Sequence, residues 1–424
     1  MAQQISKPRG TLDLYGESYR RYLEVIEKLR NIAESYGYTA IQTPAFEESG
    51  LFQRSVGESS DIVRKETFDL VNKGSSKDYT LRPEFTAGIV RAVIENKIFA
   101  DPDTPLRFCY WGPVYRYERP GTGRLREFRQ FGIECFDTKL DFVTQSEVLC
   151  MAYRGAKAIV DSDALVLVVN YLGGSEARKA YRDALVRYFE PQIDSMCDDC
   201  KARLKLNPLR ILDCKVEEDQ RRVVDAPRIE EFLTDEDRAE FASITDVLKR
   251  LGIPYRIDDR LVRGLDYYTG TVFEIQDGNA PEFGAVGGGG KYAGLMGQLG
   301  GPEMEGMGFA FGVDRLMGAS KNTGEDESRL DCMVVACSKG PACQGLACEV
   351  AERLRLKGVQ ALTPSMSKTL KGCFKQAVRA KARRMVMVNE DLSFELKDLD
   401  SRTQEHVASL EELLKTFGEE KEDA

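Results

Sequence analysis

Five arginines, Arg116, Arg119, Arg124, Arg126 and Arg129, fall within fourteen residues of one another. They belong to the stretch RFCYWGPVYRYERPGTGRLREFRQFGIE at 107–134, in which two aromatic, strand-like runs flank a Pro-Gly-Thr-Gly turn at 120–123. Turn residues between strand patterns predict a hairpin, here with a guanidinium-rich loop. Guanidinium forks grip phosphate oxygens bidentately, so such a loop suits a nucleoside triphosphate or the end of an RNA chain. A charged, solvated hairpin without a ligand would have the same composition. What accompanies the loop decides between the two.

Four further motifs stand in order around it: TLRPEFTAGIVRA at 80–92, VRGLDYYTGTVFE at 262–274, GGGGKYAGL at 287–295 and GMGFAFGVDRL at 306–316. The set resembles histidyl-tRNA synthetase, a family of class II aminoacyl-tRNA synthetases, from KPRGTLDLYGE at 7–17 into the C-terminal region. RGLDYYTG is its sharpest piece, being characteristic of the histidine-specific branch. The resemblance implies a histidine–tRNA ligase that first forms histidyl-adenylate from histidine and ATP, with Mg²⁺ accompanying the ATP. Histidine tRNA is the second partner and a homodimer is implied.

Adenylate formation places negative charge on the α-phosphate, so it needs fixed positive charge more than proton transfer. By resemblance, Arg116 contacts the α-phosphate, Arg263 approaches it from the opposite side, and Arg124 and Arg315 hold the outer phosphates. Glu84, Thr86 and Gln130 resemble the residues that hold the amino-acid end. Glu134 with Tyr268 resembles the pair that reads the imidazole, and Tyr267 and Tyr292 complete the wall. Polar readout suits histidine, because a mismatched side chain leaves buried donors or acceptors unpaired. Gly287–Gly290 suits a strand that a flat ligand approaches closely, and it lacks the spacing of a P-loop.

The family pattern near the arginine loop reads approximately HERPQ…GRYREFHQ. This chain has Tyr117, Gly121, Leu125 and Arg129 at the His, Gln, Tyr and second His positions. Gly121 thus removes a side chain that, in the family, approaches the acceptor end of the tRNA and its extra 5′ nucleotide. A related non-catalytic protein, the regulatory subunit of ATP phosphoribosyltransferase, lacks the C-terminal domain and erodes the phosphate-binding arginines; here both are in place.

The elements that must position these residues follow from periodicity. Residues 17–36 predict a helix with Tyr22, Ile26, Leu29, Ala33 and Tyr36 on one face and Gly37 as its C-cap, followed by a strand at 38–44. By resemblance this pair builds the dimer interface. Helices are expected at 86–98 and 142–160, a mostly helical insertion around 172–250, and strands at 254–257, 271–276, 287–290 and 306–313, the last running into a helix at Asp314. The polar run SKNTGEDES at 320–328 marks a boundary. Beyond it strands alternate with helices at 342–356 and 367–383, which predicts a small α/β unit with a parallel sheet. The expected organisation is an α+β catalytic domain at 1–325, mainly antiparallel sheet flanked by helices. It is followed at 330–424 by an α/β domain resembling the family's anticodon-binding domain, with an acidic tail.

Net charge is −9 and the sequence pI about 5.2, yet 367–384 holds seven basic residues and no acidic one. Lys371, Lys375, Arg379 and Arg383 recur every four residues as a basic stripe, with Leu370, Phe374 and Val378 expected to face the domain core. Backbone contact with tRNA is the expected use of the stripe. Neither an apolar run of membrane-spanning length nor an apolar signal core at the N-terminus occurs, and a cytoplasmic protein is expected. The eleven cysteines then read as reduced thiols. Cys197 and Cys200 form a CxxC with Cys214 nearby, but zinc wants four ligands and the single histidine, His406, is distant, so no metal site is expected.

Overall fold

The structure, a computed structural model, describes residues 5–56, 62–71, 74, 77–100, 106–263, 267–320, 329–365 and 368–417. Apart from Ser320, the boundary run at 320–328 lies outside the described residues, as does the acidic tail at 418–424. The chain divides into two compact units, 1–323 and 324–424.

Unit one contains, in chain order, β1 (Thr39–Ala40), β2 (Phe46–Glu48), β3 (Phe68–Asp69), β4 (Tyr79–Leu81), β5 (Arg107–Tyr115), β6 (Glu127–Asp137), β7 (Leu165–Tyr171), β8 (Tyr255–Ile257), β9 (Tyr268–Asp277), β10 (Ala285–Ala293) and β11 (Glu305–Gly312). Eight of them form one sheet in the order β1-β5-β6-β11-β10-β9-β7-β8. The interior pairs are antiparallel and only the two edge pairs, β1 with β5 and β7 with β8, are parallel. This is the expected mainly antiparallel α+β architecture. β2, β4 and β3 make a small separate sheet.

Side chains of a strand alternate between faces, and here the alternation separates packing from chemistry. Cys109, Phe131, Ile133, Cys135, Phe273, Ile275, Phe309 and Phe311 point to one face, where helices Glu17–Ser35, Phe142–Val160 and Val313–Ala319 bury them in the largest core. Phe108, Tyr110, Val272 and Tyr292 point to the other face, covered in part by helix Thr86–Glu95. The catalytic-type residues of the arginine hairpin share this second face.

Helix Phe142–Val160 spans the predicted residues because both its ends are capped. Asp141 accepts a hydrogen bond from the Thr144 amide at 2.9 Å, and Asp161 takes the left-handed conformation with φ 48°. The helix after Gly16 ends as predicted, with Gly37 at φ 80° donating to Glu34 O. The strand expected at 38–44 is only two residues long, and the helix expected to reach 98 stops at Glu95. Helices Ser175–Phe189, Asp198–Leu206, Glu217–Val223 and Asp235–Arg250 follow β7, the first three with a small core of their own around Leu185, Phe189 and Ile211.

Unit two has β12 (Cys332–Ala336), β13 (Ala361–Leu362), β14 (Arg384–Val388), β15 (Phe394–Asp398) and β16 (Gln404–Val407) in the order β13-β12-β14-β15-β16. Its sheet is mixed, not parallel as expected: β13, β12 and β14 run parallel, while β15 and β16 add an antiparallel hairpin. The basic helix is also shorter than expected. It covers Leu370–Arg379 and ends where Lys381 takes a positive φ of 49°, so Arg383 follows the helix and does not continue its stripe. Its buried face is Cys373 and Ala377; Leu370 and Val378 are exposed instead of facing the core. One residue is a 100° turn on a helix, so a core contact centred on 373 and 377 carries 378 out to solvent.

Candidate active site

All eleven residues expected to contact histidine or ATP line one cavity of about 350 Å³ on the second face of the large sheet: Glu84, Thr86, Arg116, Arg124, Gln130, Glu134, Arg263, Tyr267, Tyr268, Tyr292 and Arg315. Alternation along β6 explains the hairpin's share. Gln130 and Glu134 face the cavity, whereas Arg129 turns to the helical face, where its guanidinium and its backbone N–H both bond Asp314. Arg126 stacks over Tyr117 at 4.0 Å. The hairpin's cavity-lining cations are therefore Arg116 and Arg124.

The loop that carries them closes through reciprocal backbone bonds between Gly121 and Arg124, with Gly123 at φ 66°. Arg315, from the first turn after β11, donates to Gly123 O at 2.7 Å and Ala285 O at 2.9 Å, which ties the loop to β10. Arg116 is held by Pro83 O at 2.9 Å and lies over Phe128. Burial, then the charge of Arg124 and that of Arg116, pushes the Arg315 guanidinium down from its usual range, with Glu118 opposing. Three guanidinium groups that repel one another across an open cavity make an anion site: a bound polyphosphate would relieve the repulsion.

The tyrosine end is different. Glu134 is 2% exposed and accepts hydrogen bonds from Thr86 Oγ1 and Tyr292 OH, both at 2.6 Å, and from Tyr110 OH at 3.4 Å. Burial pushes its carboxyl up to about 8 despite those donors, with Glu84 adding to the rise. Burial and the charge of Glu134 push the Tyr110 and Tyr292 phenols upward too, so they stay neutral donors. The rings of Tyr267, Tyr268 and Tyr292 pack 4.7–6.5 Å apart as one wall. Glu84 is directed into the N-terminus of helix Thr86–Glu95, accepting from the amides of Thr86 and Ala87 at 2.6 and 2.8 Å. Arg263 donates to Glu274 at 2.6 Å, and its buried Nε has no partner among the described residues. Burial works against its charge, but Glu274 and then Tyr268 more than offset that and raise its basicity. Gly264, Leu265 and Asp266, the middle of RGLDYYTG, lie outside the described residues.

A family model described as Histidyl-tRNA synthetase matches residues 10–316, and one described as Anticodon binding domain matches 331–420. The chain belongs to the histidyl-tRNA synthetase family. It is 44% identical over 396 residues to the histidine–tRNA ligase of Bacillus licheniformis, covering 91% of each chain, and 43% identical over 391 residues to that of Bacillus subtilis, again covering 91% of each. Its fold is similar to that of the apo Staphylococcus aureus histidyl-tRNA synthetase, with a TM-score of 0.81 at 33% identity over 98% of this chain and 100% of that one.

For a histidyl-tRNA synthetase the glycine run has a further use. Gly288 and Gly290 leave room for Arg263 and Tyr268, side chains of the site, while Gly287 and Gly289 lie against Phe311 and the backbone of β11. A Cβ on Gly288 would lie 2.9 Å from Arg263 Nη1, and one on Gly308, opposite it in chemistry and on β11, would lie 2.2 Å from Glu134 Oε2. Gly308 was not singled out by sequence, although it stands on the same alternation as Gly306 and Ala310 in GMGFAFG. Glu274, Tyr110 and Asp314 were also missed. Glu274 and Tyr110 were visible in principle as polar or phenolic groups on the inward, site-facing register of strands β9 and β5. Arg82, buried with bonds to Thr43 O and Pro113 O at 2.9 Å each, holds the segment before Glu84 and carries no such sequence signal. Gly308→Ala is expected to displace Glu134, raising the KM for histidine at least tenfold and costing about 1–3 kcal/mol of stability. Steady-state kinetics with denaturant melts checks both; unchanged histidine KM would show that Glu134 has room to move.

Proposed function

We propose that this cavity is where the chain, an aminoacyl-tRNA ligase specific for histidine, forms histidyl-adenylate. The observation that carries the assignment is a buried, hydrogen-bonded carboxyl group, Glu134, in the same cavity as a cluster of three guanidinium groups. Glu134 accepts from an imidazole N–H while Tyr268 orients the ring's other side. Thr86 and Gln130 hold the amino-acid end together with Glu84, whose oxygens each keep a lone pair beyond the helix contact. The histidine carboxylate attacks the α-phosphorus of ATP, the bond to pyrophosphate breaks, and Arg116 and Arg263 stabilise the charge that develops between them. Arg124 and Arg315 hold the departing pyrophosphate. ATP enters as its Mg²⁺ complex. The histidyl group then passes to the 3′-terminal ribose of histidine tRNA and AMP is released. Charging of histidine tRNA with radiolabelled histidine, but with none of the other amino acids, tests the overall reading; charging by another amino acid at comparable efficiency would overturn it.

Residues 330–424 serve tRNA binding, and exposed Lys371, Lys375 and Arg379 contact its backbone. Neutralising the three together is expected to weaken tRNA binding and lower the slope of log affinity against log salt by about three, with adenylation unchanged. An unaltered slope would make the stripe an ordinary solvated face. The chain acts as a cytoplasmic homodimer, the dimer being supported by the exposed apolar side chains Tyr15, Tyr19 and Leu23; sedimentation at the mass of one 47.6 kDa chain would contradict it. No described helix is long and apolar enough to cross a membrane.

No enzyme histidine takes part. His406 is exposed on β16 of unit two, paired in register with Glu395. Although histidine is the commonest general base near neutral pH, His406→Gln is expected to charge tRNA at a near-normal rate at every pH. A tenfold loss with the fold intact would refute a histidine-free mechanism.

A further inference from the structure

Three of the eleven cysteines gather in the helical insertion, and the fold brings an aspartate to them. Cys197 stands at the start of helix Asp198–Leu206, Cys200 lies in its first turn, Cys214 follows the turn at Pro208–Asp213, and Asp219 belongs to helix Glu217–Val223. Their three sulfurs and one carboxylate oxygen lie within 4.8 Å of one another. Cysteine and histidine alone supply only three ligands here. Asp219, five residues past Cys214, is the fourth.

The distances fit one particular kind of guest. The Cys197 and Cys214 sulfurs are 3.8 Å apart, and the Cys214 sulfur is 3.3 Å from Asp219 Oδ2. A tetrahedral zinc with arms of ~2.3 Å to sulfur and ~2.1 Å to oxygen has ligand–ligand edges of about 3.5–3.8 Å. Backbone N–H groups point at the prospective ligands: that of Cys200 at Cys197 Sγ, that of Val216 at Cys214 Sγ and that of Cys197 at Asp219 Oδ2, at 3.4, 3.5 and 3.1 Å. Such donors stabilise thiolate and carboxylate and so orient metal ligands. Cys200, Cys214 and Asp219 are at most 2% exposed. A carboxylate buried among thiols is costly without a cation, and Arg222, 3.7 Å from Asp219 Oδ1, supplies part of the compensation. Among the described residues no other group of metal-ligating side chains forms, and none of these four lines the histidine and ATP cavity.

We infer that Cys197, Cys200, Cys214 and Asp219 bind one structural zinc ion. Binding releases the three thiol protons and leaves no open coordination position, so the ion is a cross-link and not a catalyst. Soft thiolates select zinc over Mg²⁺ or Ca²⁺. The cross-link joins two helices and the turn between them in a module whose own core is small, the setting in which a metal most effectively replaces missing hydrophobic burial.

The test uses the full-length chain purified in reductant without chelator, loaded with excess Zn²⁺ and freed of unbound metal by gel filtration. Elemental mass spectrometry is expected to find about one zinc per chain, retained in Cys348→Ser, whose exposed cysteine lies in unit two, and lost in Cys200→Ser and Cys214→Ser. Asp219→Cys is expected to keep its zinc, as a four-cysteine site. Should the cysteine variants fail to fold, Co²⁺ added to chelator-stripped wild type decides: thiolate-to-cobalt charge-transfer absorption saturating at one equivalent supports the site. Wild type that retains no zinc and shows no such bands, or whose zinc survives loss of Cys200 and Cys214, overturns it. A Cys197–Cys214 disulfide in the reduced preparation overturns it as well.

Discussion

Arg263→Gln is expected to lower the rate of histidyl-adenylate formation by about 10²–10³-fold while changing histidine affinity only a few-fold, because a cation placed where charge develops acts in the transition state and not in the ground state. The guanidinium is anchored on one side by Glu274 at 2.6 Å, and its buried Nε is left without a partner among the described residues. An anchored cation with a spare donor beside a cavity is prepared for an anion. Glutamine keeps a hydrogen bond to Glu274 and removes the charge. Pre-steady-state quench flow separates the chemical step from binding. An unchanged single-turnover rate would remove Arg263 from the mechanism and leave it as a brace for Glu274.

Glu134→Gln is expected to have two opposite effects. The first is a loss of histidine use, with kcat/KM falling ~10³-fold or more, because an amide presents an N–H where the site must accept one and leaves a buried donor facing a donor. The second is a more stable empty enzyme. The Glu134 carboxyl is raised from 4.5 unfolded to about 8 folded, so the folded chain holds this proton more tightly between those values. Wild-type stability therefore declines, relative to the variant, as pH rises from 4.5 through 8, and the difference is constant above 8. The full difference is on the order of a few kcal/mol. Urea melts at pH 5 and pH 9 read it. Equal gaps between wild type and variant at the two pH values would mean that Glu134 is ionised throughout, held so by Thr86 and Tyr292.

The residues on that side of the sheet were legible because two independent patterns agree there. Strand alternation puts Gln130 and Glu134 of β6 on one face with Tyr292 of β10, and the arginines and tyrosines sit in motifs whose order along the chain is distinctive. The long helix at 142–160 was legible to the residue because Asp141 and Asp161 mark its ends. What stayed hidden was whatever depends on shape. Nothing in GMGFAFG announces that Gly308 is small for the sake of Glu134, its cross-strand partner on β6 and far earlier in the chain. Of the expected core stripe Phe374 packs against the core at its margin, while Leu370 and Val378 are exposed because the sheet covers the smaller Cys373 and Ala377. β15 and β16 give little sequence signal because FELKD is short and more than half charged and QEHV has one apolar residue, as suits a hairpin at a sheet edge with a wet side. Cys197 and Cys200 were read without Asp219 because a single carboxylate in an acidic helix carries no spacing signal.

In the proposed mechanism one cavity binds histidine through a buried carboxyl group and drives its reaction with ATP by arginine charge. ATP–pyrophosphate exchange with the purified full-length chain, run with each amino acid in turn and without tRNA, tests it most directly. Histidine alone is expected to support exchange, and the exchange is expected to vanish in Arg116→Gln and Glu134→Gln together. Exchange supported equally by other amino acids, or full exchange by that double variant, would contradict it.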